Sequence, residues 1–294
     1  MSLSIQHILL DIEGTTCPVS FVSDVLFPYA LAALPSYLAN HHEDQRLQEL
    51  QQELLISWQS EQDPEAQLLY QHALSQSKNT GNDHVNDKDS DRERERVQAE
   101  DNTHSQDEGE GQLLGHGQQR TMLLPFLHWL NRRDIKLTAW KDLQGLIWQE
   151  GYNSGALKAA LFPEVADTLR RWHQQGYVLS VYSSGSVSAQ KLLYGHSENG
   201  DLTSLFSHWF DTRIGLKQET QSYRRILAEL RADADAVLFI SDSLAELQAA
   251  SSLGIHCWLS DRTGNPGNTT QSNHNFPSLR ELHELDRIMA IRPC

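Results

Sequence analysis

Short apolar runs alternate with helical patterns over the second half of this chain. The runs that predict buried strands are 177–182, 209–211, 236–240 and 255–259. The amphipathic patterns that predict helices before, between and after them are 163–174, 187–194, 222–231 and 244–253. Strands that alternate with helices indicate right-handed crossovers and a parallel sheet. Another apolar run, at 8–10, has the same character and predicts the first strand.

After this first strand the pattern changes to a helical spacing of apolar residues, which continues to about residue 157. It is clearest at 31–38, 43–58, 122–131 and 140–148. Such a stripe is far more typical of core packing than of a cofactor site. Gly145 lies inside the last of these patterns, where a glycine destabilises a helix, so we expect another helix to pack closely against it. The close approach of a ligand is the second explanation.

Residues 76–119 are almost free of apolar side chains and carry charges of both signs. Such a segment cannot bury enough surface to offset the entropy of ordering, and we predict that it is a disordered insert. The predicted fold class is α/β, with a Rossmann-like parallel-sheet core formed by residues 1–17 and 160–294. A helical cap, residues 18–159, is inserted after the first strand and is itself interrupted by the insert.

The 294-residue chain has a formal net charge of -15, which argues against a binder of duplex nucleic acid, because phosphate backbones require Lys and Arg. Cys17, Cys257 and Cys294 are widely separated and match no zinc spacing, so we expect reduced thiols. No apolar segment approaches the roughly 20 residues that span a bilayer, and no signal-peptide pattern is seen. We therefore expect a soluble cytoplasmic protein with no nucleic-acid or membrane partner. A monomer is expected as well, although nothing in the composition fixes the oligomeric state.

Polar side chains follow the ends of several predicted strands. They are Asp11, Glu13, Ser183, Ser184, Lys217 and Asp242. The carboxyl ends of parallel strands meet at one edge of the sheet, where ligands bind in open α/β folds. Carboxylates from two strand ends can bind Mg²⁺, a hydroxyl at a helix start can bind phosphate, and a lysine adds a positive charge. The two acids after the first strand are by themselves equally compatible with an ordinary turn, but the whole set suits phosphoryl transfer.

The order of these residues resembles the haloacid dehalogenase-like phosphatase superfamily. The positions that match its four motifs are 11–15 (D-x-[DE]-G-T), Ser183, Lys217 and 242–246 (D-x-x-x-[DE]). Longer stretches look like those of the acireductone-forming enolase-phosphatases of the methionine salvage pathway. They are DIEGTTCPVSFVSDVLFPYA, LQGLIW, VYSSGSVSAQKLLYGHSENGDL and FDTRIGLKQETQSYRRI, and they lie in both the predicted core and the predicted cap.

The resemblance implies roles for the acids. Asp11 would be the nucleophile that forms an aspartyl-phosphate, and Glu13 would protonate the leaving oxygen and then activate water. One Mg²⁺ per subunit would be held by Asp11, the main-chain carbonyl of Glu13 and Asp242. Glu246 would support the metal through its water shell.

The resemblance also implies a substrate and a reaction. Ser183 and Ser184 would bind the phosphoryl group and substrate, and Lys217 would pair with both the phosphate and the nucleophile. The partner would be a phosphorylated diketone, 2,3-diketo-5-methylthiopentyl-1-phosphate. The enzyme would enolise and dephosphorylate it to 1,2-dihydroxy-3-keto-5-methylthiopentene.

Three alternatives stay open at this stage. The first is a phosphatase of the same superfamily that acts on another small phosphate ester without enolisation. The second is a metal-independent dehalogenase that uses Asp11, against which Glu13 and Asp242 argue because both suit metal binding and proton transfer. The third is a non-enzymatic phospho-acceptor module. The helical insertion after the first strand favours a capped active site that excludes water.

Overall fold

The structure is a computed structural model that describes residues 5–80, 116–133, 135–265 and 275–287; it does not describe the side chains of 77–80 and 116–121. Most of the predicted disordered insert, 76–119, lies outside the described residues. Its two ends do not: one helix continues to Thr80 and another begins at His116, so the helical pattern extends a few residues into the segment from either side.

Among the described residues, six parallel strands form one sheet. In chain order they are β1 (His7–Leu10), β2 (Val178–Tyr182), β3 (Phe206–Phe210), β4 (Val237–Ser241), β5 (His256–Ser260) and β6 (Ser278–Leu279). Their order across the sheet is β3-β2-β1-β4-β5-β6. The predicted α/β class with a parallel sheet is confirmed. The two-residue strand β6 was not predicted, because so short a stretch carries no periodicity of its own.

Ten α-helices are found among the described residues. They are α1 (Val19–Phe21), α2 (Phe27–Asn40), α3 (Gln45–Ser60), α4 (Pro64–Thr80), α5 (His116–Arg132), α6 (Thr138–Asn153), α7 (Val165–Gln174), α8 (Val187–Gly195), α9 (Thr220–Leu230) and α10 (Leu244–Ser251). A π-helix, Val22–Leu26, joins α1 to α2. Helix α3 begins two residues later than predicted, because the Asp44 carboxylate caps it by accepting a hydrogen bond from the Leu47 backbone N–H at 3.0 Å.

Strand β1 lies in the middle of the sheet and is buried on both faces. Ile8, Leu9 and Leu10 are all fully buried. Ile8 and Leu10 belong to one hydrophobic cluster and Leu9 to another, as expected when alternate side chains of a central parallel strand contact helices on opposite faces. Because Leu10 pairs with both Val181 and Ile240, the residues that follow β1 emerge between the ends of two neighbouring strands.

Contacts between residues divide the chain into two units. The first comprises Met1–Ala32 and Gln144–Cys294 and contains the sheet; the second, Ala33–Leu143, is helical. Within the second unit, Trp58 and Trp129 stack on either side of Phe126, with ring centroids 5.0 and 5.7 Å apart. The predicted cap of residues 18–159 has wider limits than this helical unit, and those limits stay a prediction.

The start of the predicted cap packs inside the first unit through aromatic side chains. The indole N–H of Trp148 donates to the carbonyl of Leu26 at 2.9 Å. A Cβ on Gly151 would lie 2.7 Å from the ring of Tyr29, so this glycine is required for the ring to pack. Around Gly145, in contrast, a Cβ would meet nothing within 4 Å. The expected close packing at Gly145 was wrong, and it occurs six residues later in the same helix.

The consecutive helices over Val19–Asn40 form a run of 22 residues that is long and apolar enough, by length and composition, to cross a membrane. No such segment was expected from the sequence, in which no apolar stretch approaches the roughly 20 residues that span a bilayer. Leu26, Ala30, Leu34 and Leu38 are buried and recur every four residues, which is the pattern of a helix that packs one face against a protein core.

Candidate active site

Asp11 is the first residue after β1 and is held by four neighbours. Its backbone N–H donates to the Ile240 carbonyl at 3.0 Å, which extends the pairing with β4 by one residue. Its Oδ1 accepts from the Ile12 N–H at 2.8 Å and from the Lys217 Nζ at 2.5 Å. Its Oδ2 accepts from the Ser241 hydroxyl at 3.2 Å. Only 5% of Asp11 is exposed, so this carboxylate is buried and has a fixed orientation.

The loop after Asp11 turns because Gly14 adopts a positive φ of 69°. The Ile12 carbonyl accepts from the N–H groups of Thr15, Thr16 and Cys17 at 3.1, 2.9 and 2.9 Å, which closes a tight turn. A Cβ on Gly14 would lie 2.1 Å from Oδ2 of Asp242. Glycine is therefore required twice, for the backbone conformation and for the close approach of the second strand-end carboxylate.

Neutral buried groups anchor the loop to helix α8. The hydroxyls of Thr16 and Tyr194 are 2.7 Å apart, and Tyr194 is fully buried. Burial raises the pKa of the Tyr194 hydroxyl far above its usual value, and burial together with Glu13 does the same for the Cys17 thiol. Both side chains are therefore protonated near neutral pH, which argues against Cys17 as a second nucleophile.

Lys217 lies between two carboxylates. Its Nζ is 2.5 Å from Oδ1 of Asp11 and 2.7 Å from Oε2 of Glu246, and only 9% of its side chain is exposed. Burial alone lowers the pKa of this lysine, but the charges of Asp11 and Glu246 outweigh it and raise the pKa well above the usual value. Lys217 is therefore a permanent positive charge. Its backbone carbonyl accepts from the Tyr223 hydroxyl at 2.7 Å, which fixes the loop that carries it.

Glu246 comes from the first turn of α10 and belongs to the same cluster. Its Oε2 lies 2.9 Å from the Ser241 hydroxyl oxygen and 2.7 Å from the Lys217 Nζ. Burial, and then the charge of Asp11, raise the pKa of Glu246 to about 7 despite the lysine. Its side-chain contacts are with Lys217 and Ser241, so here it acts on the lysine; the predicted support of a metal through water stays a prediction.

Ser183 and Ser184 follow β2, next to the end of β1 in the sheet. The Ser183 backbone N–H donates to the Phe210 carbonyl at 3.2 Å, and its hydroxyl accepts from the Gly185 N–H at 3.2 Å. The cap of α8 is Ser186, whose hydroxyl accepts from the Ala189 N–H. Ser183 and Ser184 thus precede the helix N-terminus and are not its cap, which is compatible with a role in anion binding.

The donors proposed for Mg²⁺ fit a site for this cation. They are the carboxylates of Asp11 and Asp242 and the main-chain carbonyl of Glu13, all oxygen ligands. Burial and then Asp11 raise the pKa of Asp242 to about 7, the expected result where carboxylates converge without enough positive charge. Among the described residues no three His, Cys, Asp or Glu side chains form a metal cage. Mg²⁺ is usually bound by only one or two carboxylates and keeps several waters, so two carboxylates and a carbonyl suffice.

The structure thus brings Asp11, Lys217 and Asp242 to one edge of the sheet, with Glu13 in the loop between them. The sequence reading missed Ser241, which contacts both Asp11 and Glu246. Its position at the end of a predicted strand, beside Asp242, is a signal that could have identified it.

Comparison with known proteins gives consistent matches. A family model of haloacid dehalogenase-like hydrolases matches residues 5–254. A protein named Enolase-phosphatase E1 from Prochlorococcus marinus (strain MIT 9313) is 42% identical over 281 residues, which cover 96% of this chain and 98% of that protein. The protein of the same name from Marinobacter nauticus is 41% identical over 87% of this chain and 88% of its own. The crystal structure of the UTR4 protein of Saccharomyces cerevisiae is similar with a TM-score of 0.60 and 30% identity, over 94% of this chain and 98% of that one.

Proposed function

The chain belongs to the haloacid dehalogenase-like hydrolase family, and from this premise we propose that it is an enolase-phosphatase of the methionine salvage pathway. Its reaction would convert 2,3-diketo-5-methylthiopentyl-1-phosphate to 1,2-dihydroxy-3-keto-5-methylthiopentene and phosphate. The observation that carries the proposal is the buried triad of Asp11, Lys217 and Glu246, in a chain that matches proteins named Enolase-phosphatase E1 over nearly its whole length.

Asp11 would be the nucleophile. A carboxylate oxygen of Asp11 forms a bond to phosphorus, the bond from phosphorus to the substrate oxygen breaks, and an aspartyl-phosphate results. The carboxylate is suited to this role because the Ile12 N–H, Lys217 and Ser241 fix its orientation before substrate arrives. Lys217 also offsets the repulsion between the anionic nucleophile and the anionic phosphate, which is otherwise a large part of the barrier.

Glu13 would transfer the protons. It gives a proton to the leaving oxygen in the first step and takes one from the attacking water in the second, which releases phosphate and restores the Asp11 carboxylate. Ser183 and Ser184, just before the N-terminus of α8, would donate hydrogen bonds to the phosphoryl oxygens. The serines and Lys217 approach from different strand ends, so they would contact different oxygens of the group.

Mg²⁺ would be held by Asp11, the carbonyl of Glu13 and Asp242, and when bound it supplies positive charge to the phosphoryl oxygens and polarises the substrate carbonyl for enolisation. Gly14 permits this arrangement, because any larger residue would displace the carboxylate of Asp242. A cytoplasmic location, a monomeric state and the lack of nucleic-acid and membrane partners stay predictions.

The test is to follow the diketone phosphate with purified protein by absorbance of the enolic product and by phosphate release in the same sample. We expect both signals with Mg²⁺, and neither for Asp11→Asn. Asp167→Asn, a surface change in α7, is the matched control and should keep wild-type turnover. Phosphate release without an enolic product would favour a phosphatase for another ester. Wild-type turnover by Asp11→Asn would exclude Asp11 as the nucleophile.

A further inference from the structure

Three consecutive carbonyls after Glu13 accept hydrogen bonds from distant parts of the chain. The Gly14 carbonyl accepts from the Ser260 hydroxyl at 2.9 Å and from the Asn265 side-chain amide at 2.8 Å. The Thr15 carbonyl accepts twice from the Arg262 guanidinium, at 3.1 and 2.8 Å. The next carbonyl in the chain, that of Thr16, accepts from the backbone N–H of Phe162 at 3.1 Å. We call Ser260, Arg262 and Asn265, at the end of β5, the carbonyl clamp.

Arg262 is the central member of the carbonyl clamp and is only 4% exposed. Its Nε and Nη2 both donate to the Thr15 carbonyl, and its Nη1 donates to Oε1 of Glu164 at 2.5 Å and to the Arg280 carbonyl at 2.7 Å. Its guanidinium carbon lies 4.3 Å from the centroid of the Phe162 ring. The guanidinium is therefore fixed from several sides, and one edge of its planar fork faces a single backbone oxygen.

A buried charge of this kind is not explained by stability. Two charges removed from water are often no more stabilising than well-packed apolar residues of the same volume. What the Arg262 guanidinium provides, and an apolar residue could not, is two hydrogen bonds in a fixed plane to one chosen carbonyl. That carbonyl belongs to Thr15, two residues after Glu13. Arginine is therefore the residue type suited to holding this loop in place.

A displacement of the Thr15 peptide would be transmitted to Glu13 through the turn. The N–H groups of Thr15 and Thr16 both donate to the Ile12 carbonyl, and the Gly14 N–H donates to the Cys17 carbonyl at 2.8 Å. These bonds tie both sides of Glu13 to the segment that the carbonyl clamp holds. A shift of that segment would therefore change the direction of the Glu13 side chain, while Asp11 stays paired to β4 and Lys217.

We propose that the carbonyl clamp is a positioning device for Glu13, with Arg262 as its principal residue. This inference rests on the proposed function, in which Glu13 protonates the leaving oxygen. Loss of the clamp should impair proton transfer more than nucleophilic attack. An alkyl phosphate, whose leaving oxygen requires a proton, should suffer more than an aryl phosphate such as p-nitrophenyl phosphate, whose phenolate departs without one.

The test compares Arg262→Lys with Ser260→Ala on the diketone phosphate and on p-nitrophenyl phosphate. Arg170→Lys is the matched control, because Arg170 also contacts one carboxylate, of Asp167, and one carbonyl, of Asn199, but on the surface. The quantity compared is kcat/KM, which covers the steps up to formation of the aspartyl-phosphate and leaves out the second step, in which Glu13 takes a proton from water with either substrate. For Arg262→Lys we expect kcat/KM on the diketone phosphate to fall by about 10²-fold, the size of loss that a misplaced catalytic group causes. On p-nitrophenyl phosphate the loss of kcat/KM should be less than about tenfold, because the departing phenolate needs little help from a general acid.

Ser260→Ala removes one donor without introducing a charge or a bulky group, so it should fold even if Arg262→Lys does not. We expect this variant also to lose more kcat/KM on the diketone phosphate than on p-nitrophenyl phosphate, with smaller losses than in Arg262→Lys. Equal losses of kcat/KM on both substrates in a folded variant, or wild-type kinetics in both variants, would overturn the clamp and leave the proposed function intact. If the wild-type protein releases phosphate from neither substrate, the proposed function itself fails and the clamp fails with it.

Discussion

Replacing Gly14 with alanine is the most direct test of the site geometry. The backbone at this position has a φ of 69°, and a left-handed conformation costs a residue with a Cβ about 1–2 kcal/mol. The added Cβ would lie 2.1 Å from Oδ2 of Asp242, whereas ordinary contacts begin at 3.4 Å, so the carboxylate must move by more than 1 Å. Misplacement of a catalytic group on this scale lowers kcat by about 10²-fold.

The measurement is urea unfolding of Gly14→Ala together with its steady-state kinetics. The unfolding midpoint should fall with an unchanged m value, because the compactness of the two end states is not altered. Gly145→Ala is the matched control. Gly145 lies in the interior of α6, where a Cβ meets nothing, and the change should raise the free energy of unfolding by about 0.5–1 kcal/mol without affecting kcat.

The two variants must therefore change the free energy of unfolding in opposite directions. If Gly14→Ala unfolds at the wild-type midpoint and keeps its kcat, Asp242 does not lie where the structure places it. If it loses stability but keeps its kcat, Asp242 has no part in the reaction.

Two further predictions concern charge in the site. The pKa of Glu246 is raised in the folded protein from an ordinary 4.5 to about 7, so between these values the folded state binds the additional proton. The stability that this proton contributes is therefore present below about pH 4.5 and is lost as the pH rises to about 7. In the metal-free Glu246→Gln variant, the unfolding midpoint should depend less steeply on pH in this window. An unchanged slope would contradict the raised pKa of Glu246. Chelation with EDTA should abolish phosphatase activity, and Mg²⁺ at 100 times its Kd should stabilise the folded protein by about 2.7 kcal/mol, which thermal unfolding measures. Asp242→Asn should lose this stabilisation, and retention of the full shift would exclude Asp242 as a ligand.

The sequence was sufficient to predict those features whose signal is local or periodic along the chain. The apolar run at 8–10 predicted β1, and the acids and lysine that follow strand ends were expected together at one edge of the sheet, where the structure places Asp11, Lys217 and Asp242. Their chemical roles stay predictions. The predicted family is confirmed by a family model that matches residues 5–254 and by full-length relatives. These predictions succeed because strand periodicity and strand-end placement depend on neighbouring residues.

The sequence was insufficient where contacts join distant segments. Gly145 and Gly151 lie in the same helix, yet only the second has a ring against it, and nothing in the local pattern distinguishes them. The same holds for Arg262, which follows β5 and contacts Thr15, 247 residues earlier in the chain. Glu246 was expected to support a metal, and its close contact with Lys217 depends on how α10 and the lysine loop fold together.

The central position of β1 has a consequence for biosynthesis. The carboxylate of Asp11 is made long before its partners Lys217 and Ser241, which lie 206 and 230 positions later in the chain. A nascent chain therefore carries an unpaired Ile-Leu-Leu strand until β2 and β4 have left the ribosome. Contacts between residues so far apart in the sequence form slowly. Truncated products can hold no assembled site, and this short strand is where chaperones would be needed during synthesis.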